Sequence, residues 1–167
     1  MSSGYQANSV ANFIIDRAKQ GRVHGLTNMK MQRLLFIIEA WHREIYGYSL
    51  IQDIFSMWPH GPVIPSLHHL IKLQNSEHLV KNLSTFQQGR YIMTTRVNAS
   101  DDETIKLIDK VLETHDRYTG TQLGNIVWQN IPRLNEGEPI TANIFKTYID
   151  KMKGRTVEIK PELKVVK

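Results

Sequence analysis

The chain has no cysteine, which excludes disulfide staples, a thiol nucleophile and a thiolate metal site. That absence suits a reducing compartment, and a cytoplasmic location is expected. No run of residues approaches the ~20 apolar positions of a membrane helix, so no membrane contact is expected. The opening residues, Met1-Ser2-Ser3-Gly4-Tyr5-Gln6, carry no basic stretch followed by an apolar one, so no signal peptide is expected either. Catalytic signatures are also missing. Ser66 lies in no Gly-x-Ser-x-Gly elbow, and there is no P-loop, no Gly-x-Gly-x-x-Gly fingerprint and no His-Glu-x-x-His zinc pair. His60, His68, His69 and His78 lie close in sequence, but neighbours such as His68 and His69 point to different helix faces. No metal, no cofactor and no enzymatic activity are expected. Asp101, Asp102 and Glu103 read as a helix start rather than a carboxylate cluster. Internal repeats, heptad arrays and low-complexity blocks are absent as well.

What is present is 167 residues, 41% of them hydrophobic, with a net charge of +5. That length suits one domain, which buries roughly 70% of its unfolded surface. The charge is unevenly placed. Residues 151–167 hold six basic and two acidic residues, leaving 15 basic and 14 acidic residues for 1–150. The expected organisation is a globular domain over 1–154 and a basic C-terminal tail over 155–167. Such a tail is either solvated or a weak nucleic-acid contact, whose affinity would fall steeply with salt. Its alternating Val157 and Ile159 leave open a further strand, or disorder that resolves on a partner.

The most constrained stretch is 55–67, with Pro59, Pro62, Pro65, Gly61 and Trp58 inside thirteen residues. Prolines fix φ and remove backbone donors. The spacing predicts a short extended run into Trp58, a rigid corner at Gly61-Pro62 and a helix opening at Pro65. Trp58 either fills the core or, with His60, lines a recognition surface. Around this corner, hydrophobic periodicity predicts helices over 8–20, 27–46, 65–73, from Ser100 to about 114, from Thr119 or Thr121 to before Pro132, and 141–152. The second is the strongest. Met31, Leu34, Leu35, Ile38, Trp41 and Ile45 form its apolar face, while Lys30, Arg33, Arg43 and Glu44 are expected on the rest. Ser100 to Glu103 reads as a capping box. Residues 79–86 and 90–97, rich in β-branched and aromatic side chains and separated by Gln88-Gly89, predict a small two-stranded element. The expected fold is mainly α: a single globular domain of about six helices with a small two-stranded β element.

Four blocks carry a family resemblance. They are Ala11-Asn12-Phe13-Ile14-Ile15, then Leu26-Thr27-Asn28-Met29-Lys30-Met31-Gln32-Arg33-Leu34-Leu35-Phe36, then Ala40-Trp41-His42, and Met57-Trp58-Pro59-His60-Gly61-Pro62-Val63. Together, with their spacing, these resemble the Panacea-domain family, which includes SocA-like antitoxins and GepA-like phage-associated proteins. The resemblance covers roughly residues 7–73 and resumes at 107–112 and Leu123. The chain differs from the family pattern at Ser56-Met57, at His68 where tyrosine is common, and at 127–133. The resemblance implies a helical, non-enzymatic, bacterial or phage-borne domain. Such a domain neutralises a cognate toxin encoded beside it, by direct contact or by delivering it to a protease. A nucleic-acid-associated or phage accessory protein of the same fold is the alternative. Partner contacts favour aromatic and arginine anchors, and the candidates here are Trp58, His60, Gly61, Pro62, His68, Tyr91, Trp128 and Arg133.

Overall fold

Five consecutive apolar residues, Leu34-Leu35-Phe36-Ile37-Ile38, cover the whole circumference of a helix, so no side of it can face water without exposing hydrocarbon. The fold answers by surrounding that helix. A computed structural model describes residues 4–84, 86–87, 90–91 and 94–154; the basic tail and the turn expected at Gln88-Gly89 lie outside them. In chain order the elements are α1 (Ala7–Lys19), α2 (Asn28–Tyr46), β1 (Ser56–Trp58), β2 (Gly61–Val63), α3 (Pro65–Lys72), β3 (Phe86–Gln87), β4 (Arg90–Tyr91), α4 (Asp102–His115), α5 (Gly120–Trp128) and α6 (Ala142–Lys153). The fold is mainly α, as expected, and each strand pair is antiparallel.

α2 starts where its local signals place it. The Thr27 side chain accepts from the Lys30 amide, and Gly47 closes the helix in the left-handed region. Residues 30–42 are then buried without interruption. α1, α4, α5, α6 and β2 pack around them. On one side Phe36 stacks on Phe145 at 4.9 Å and meets Tyr148 edge-on at 5.3 Å, with Phe55 completing the cluster. On another, α5 comes in very close. A Cβ placed on Gly120 would lie 2.8 Å from the Lys30 backbone nitrogen and 3.2 Å from Met29 Cβ.

That approach overturns the expectation that Lys30 and Arg33 occupy a solvent face, since both are buried. Lys30 Nζ donates to the His24 carbonyl at 2.7 Å, the Asp116 carbonyl at 2.9 Å and the Asp116 carboxylate at 3.0 Å. Further along, Glu39 Oε1 accepts the Leu50 and Ile51 amides at 3.0 and 2.9 Å, while Oε2 takes Ser49 and Arg43.

Residues 56–63, expected as an extended run and a corner, form a hairpin with Pro59-His60 as its two-residue connection. Pro62 is tolerated in a strand because of which groups face which way. It pairs with Met57. The Met57 amide and carbonyl turn away from it, onto the Glu138 carbonyl at 2.8 Å and the Gly137 amide at 2.7 Å. No donor is needed from Pro62. The loop before α6 thus lines the outer edge of β1, and the Ile140 amide adds a bond to the Phe55 carbonyl.

Two further expectations are corrected. The expected two-stranded element is present, but among the described residues of 79–97 strand is confined to 86–87 and 90–91. Residues 79–84 and 94–97 are instead pinned from α1, where the buried Asn12 takes the Leu83 amide and carbonyl and the Thr95 carbonyl. The cap of α4 is Asp101, whose carboxylate accepts the Thr104 amide, not Ser100. For α5, Thr119 rather than Thr121 is the cap, in a full box with Gln122.

Replacement of Gly120 by alanine is expected to cost about 1–3 kcal/mol, because the added methyl meets backbone that cannot rotate aside; chemical denaturation measures it. His115 supplies a pH prediction. Burial pushes its ring from 6.5 down to about 4. The folded ring stays neutral where the unfolded ring takes up a proton. Its contribution is therefore intact above pH 6.5 and lost as pH falls from 6.5 towards 4, by at most about 1.4 kcal/mol per unit. His115→Gln is expected to reduce that slope, read by urea unfolding across the interval.

Candidate partner-binding site

The hairpin is held from behind by one side chain. Arg33 reaches out of α2, with Nη1 donating to the Pro62 carbonyl and Nη2 to the His60 carbonyl, both at 2.6 Å. Gly61 makes room for it, since a Cβ there would lie 3.3 Å from Arg33 Cζ. The same glycine has φ of +121°, where an L side chain is strained. From the other side Gly124 of α5 approaches Arg33 Nε as closely. Burial pushes the guanidinium down to about 10, which still leaves it charged at neutral pH. Among the described residues its Nε has no hydrogen-bond partner.

A chain of side-chain bonds fixes the adjoining wall. The Ile64 amide, at the exit of the hairpin, donates to Gln32 Oε1 at 2.8 Å. Gln32 Nε2 donates to Asn28 Oδ1 at 3.3 Å, and Asn28 Nδ2 meets His68 Nδ1 at 2.8 Å. With Asn28 as donor, the His68 proton sits on Nε2. Partial burial, then Lys72 and His69, holds His68 below the ordinary histidine value, so the neutral ring is favoured. Trp58 stands edge-on to His68, with ring centroids 4.8 Å apart. These groups enclose a pocket of about 160 Å³ that also involves Met29, Pro59, His60 and Val63.

The structure brings three of the expected residues together, since Trp58, His60 and His68 line this one pocket. Trp58 is half-buried, so it is neither a core residue nor a free flag. Gly61 and Pro62 are buried behind the pocket and act through their backbone. Trp128 packs against the core under the exposed Arg133, 6.0 Å from its ring, and neither lines the pocket. The side chain of Tyr91 lies outside the described residues. Sequence reasoning missed Arg33, Gln32 and Asn28. The available signal was the apolar run at 34–38: a helix apolar all round has no solvent face to offer a neighbouring arginine. Among the described residues, no group of three or more histidines and carboxylates is gathered for a metal, and no helix is long and apolar enough to cross a membrane.

Arg33→Met leaves the His60 and Pro62 carbonyls without their donor. A loss of about 2–4 kcal/mol is expected, with faster amide exchange across 56–63 while α6 stays protected. Arg33→Lys recovers only part of this, because one ammonium cannot reproduce the planar fork. Unchanged exchange in the hairpin would contradict the assignment.

Neither a curated protein nor a solved structure shows a significant match to the chain. Residues 31–131 match the family described as antitoxin SocA-like, Panacea domain. The matched segment spans more than half of the sequence and contains most of α2, the hairpin, α3 and α5. The chain belongs to the SocA-like antitoxin family, Panacea domain.

Proposed function

We propose that the protein is the antitoxin of a toxin–antitoxin pair, and that it neutralises a cognate toxin, encoded beside it, by direct contact in the cytoplasm. Family membership is the observation that carries this reading. The site supports contact as the mechanism. Its pocket is small for a metabolite, since ligand pockets run to roughly 300–1,000 Å³, against about 160 Å³ here. Its walls are locked by bonds from α2, so little ordering is left for association to oppose. A half-buried tryptophan beside exposed Pro59 and His60 is the side-chain chemistry of a binding centre. Binding of this kind needs no catalytic group.

The test begins with the adjacent reading frame, expressed alone and then together with this protein. Growth arrest alone, rescue together and a recovered complex are expected. Trp58→Ala is then expected to weaken the complex by about 2 kcal/mol, the loss typical of a central aromatic anchor. Thermal unfolding of the variant separates lost binding from lost fold. A harmless neighbour with no complex would defeat the reading.

A further inference from the structure

The buried charges of α2 are not treated alike. Lys30 has the Asp116 carboxylate at 3.0 Å, and Glu39 has Arg43 at 2.7 Å. Arg33, 2% exposed, has no carboxylate partner among the described residues, only two carbonyls. A buried cation without a counter-charge is costly, because carbonyl dipoles offset only part of the lost hydration. This one forms part of a pocket open towards the hairpin turn, and none of the nine residues around that pocket is acidic. We infer that the pocket receives an acidic side chain, aspartate or glutamate, of the protein partner, with Arg33 as its counter-charge. The identity of that partner rests on the antitoxin reading; the chemistry of the pocket does not.

Size and lining agree with this occupant. About 160 Å³ admits one side chain rather than a peptide segment. Met29, Val63 and Trp58 offer a sleeve for a methylene stem, and the amides of Asn28 and Gln32 stand in the same wall. His68 adds the Nε2 proton that its bond to Asn28 assigns. A hydrophobic occupant would close the mouth and leave Arg33 charged in a drier surrounding, and a cationic occupant would be repelled. A carboxylate alone relieves the imbalance while filling the space.

Met29 provides the test, because it is 38% exposed at the pocket and its sulfur accepts from Thr121 of α5. Met29→Glu places a carboxylate where the partner's is inferred to sit; Met29→Lys makes a change of similar bulk and polarity with the opposite charge. With the toxin in hand, Met29→Glu is expected to weaken the complex at least about tenfold more than Met29→Lys. Equal effects would overturn the proposal while leaving the antitoxin reading intact. A second arm needs no toxin. The full chain is titrated with N-acetyl-glutamate N-methylamide and with its glutamine counterpart, followed by nuclear magnetic resonance at the Trp58 indole. Saturable shifts with the glutamate compound alone, lost in Met29→Glu, are expected. No shift, or equal shifts with both compounds, would overturn the proposal even if the toxin pair is established.

Discussion

A helix buried on every side leaves its polar side chains no water to pair with, and α2 places Lys30, Gln32, Arg33, Glu39 and His42 in that position. Each reaches the backbone of a neighbouring segment. Lys30 takes the carbonyls of 24 and 116, Gln32 the amide of 64, Arg33 the carbonyls of 60 and 62, Glu39 the amides of 50 and 51, and His42 the carbonyl of 48. The net gain from one such bond is about 1 kcal/mol, but a buried group left without its partner costs about 1–3. That asymmetry is what locates the loops. They have few ladders of their own, and displacing one strands both its backbone and the side chain it left. Asn12 works in the same way from α1 on the segments at 83 and 95.

The hairpin shows what this arrangement supports. Two three-residue strands are marginal in water by themselves. Here Arg33 holds the turn side, Gln32 holds the exit, and the loop at 137–140 occupies the outer edge of β1. A segment with three prolines nearby has little conformational freedom to lose in any case. The outcome is an exposed turn carried on a rigid support. A binding surface gains from this arrangement, since the entropy of ordering was lost during folding and not at association.

The charges elsewhere follow the ordinary pattern. Arg17 meets Asp109, Arg96 meets Asp16, and Lys146 and Lys153 meet Glu44, at partly exposed positions where each pair adds little. The buried Lys30 and Glu39 are neutralised more strictly. Arg33 departs from both groups, and it does so at the pocket where the aromatic and histidine side chains of the hairpin and α3 converge. Local rules tend to be broken where a protein meets something else. On the proposed reading, the unbalanced charge and the preformed walls are two halves of one recognition device, and the family-matched segment contains seven of the nine pocket residues.

The sequence by itself determined the helices and most of their ends. Thr27, Thr119, Gly47 and Pro65 act on groups within four residues of themselves, so their effect is the same whatever the rest of the chain does. It also marked Trp58 and His60, because prolines and a tryptophan so close together allow few conformations, while His68 stood out against the family pattern. Only the tertiary structure decided the rest. Pro62 argued against a strand until Met57 turned its polar groups to Gly137 and Glu138, far along the chain. The β-branched residues near 79–97 favoured strands that Asn12 overrode by claiming their backbone. Arg33 looked like a solvent residue because helical periodicity assigns faces without knowing how many neighbours will cover them. Its role depends on two glycines, Gly61 and Gly124, and on carbonyls 27 and 29 residues away. Local propensity cannot encode contacts that exist only after distant segments have met, and a buried charge becomes meaningful only when its surroundings are complete.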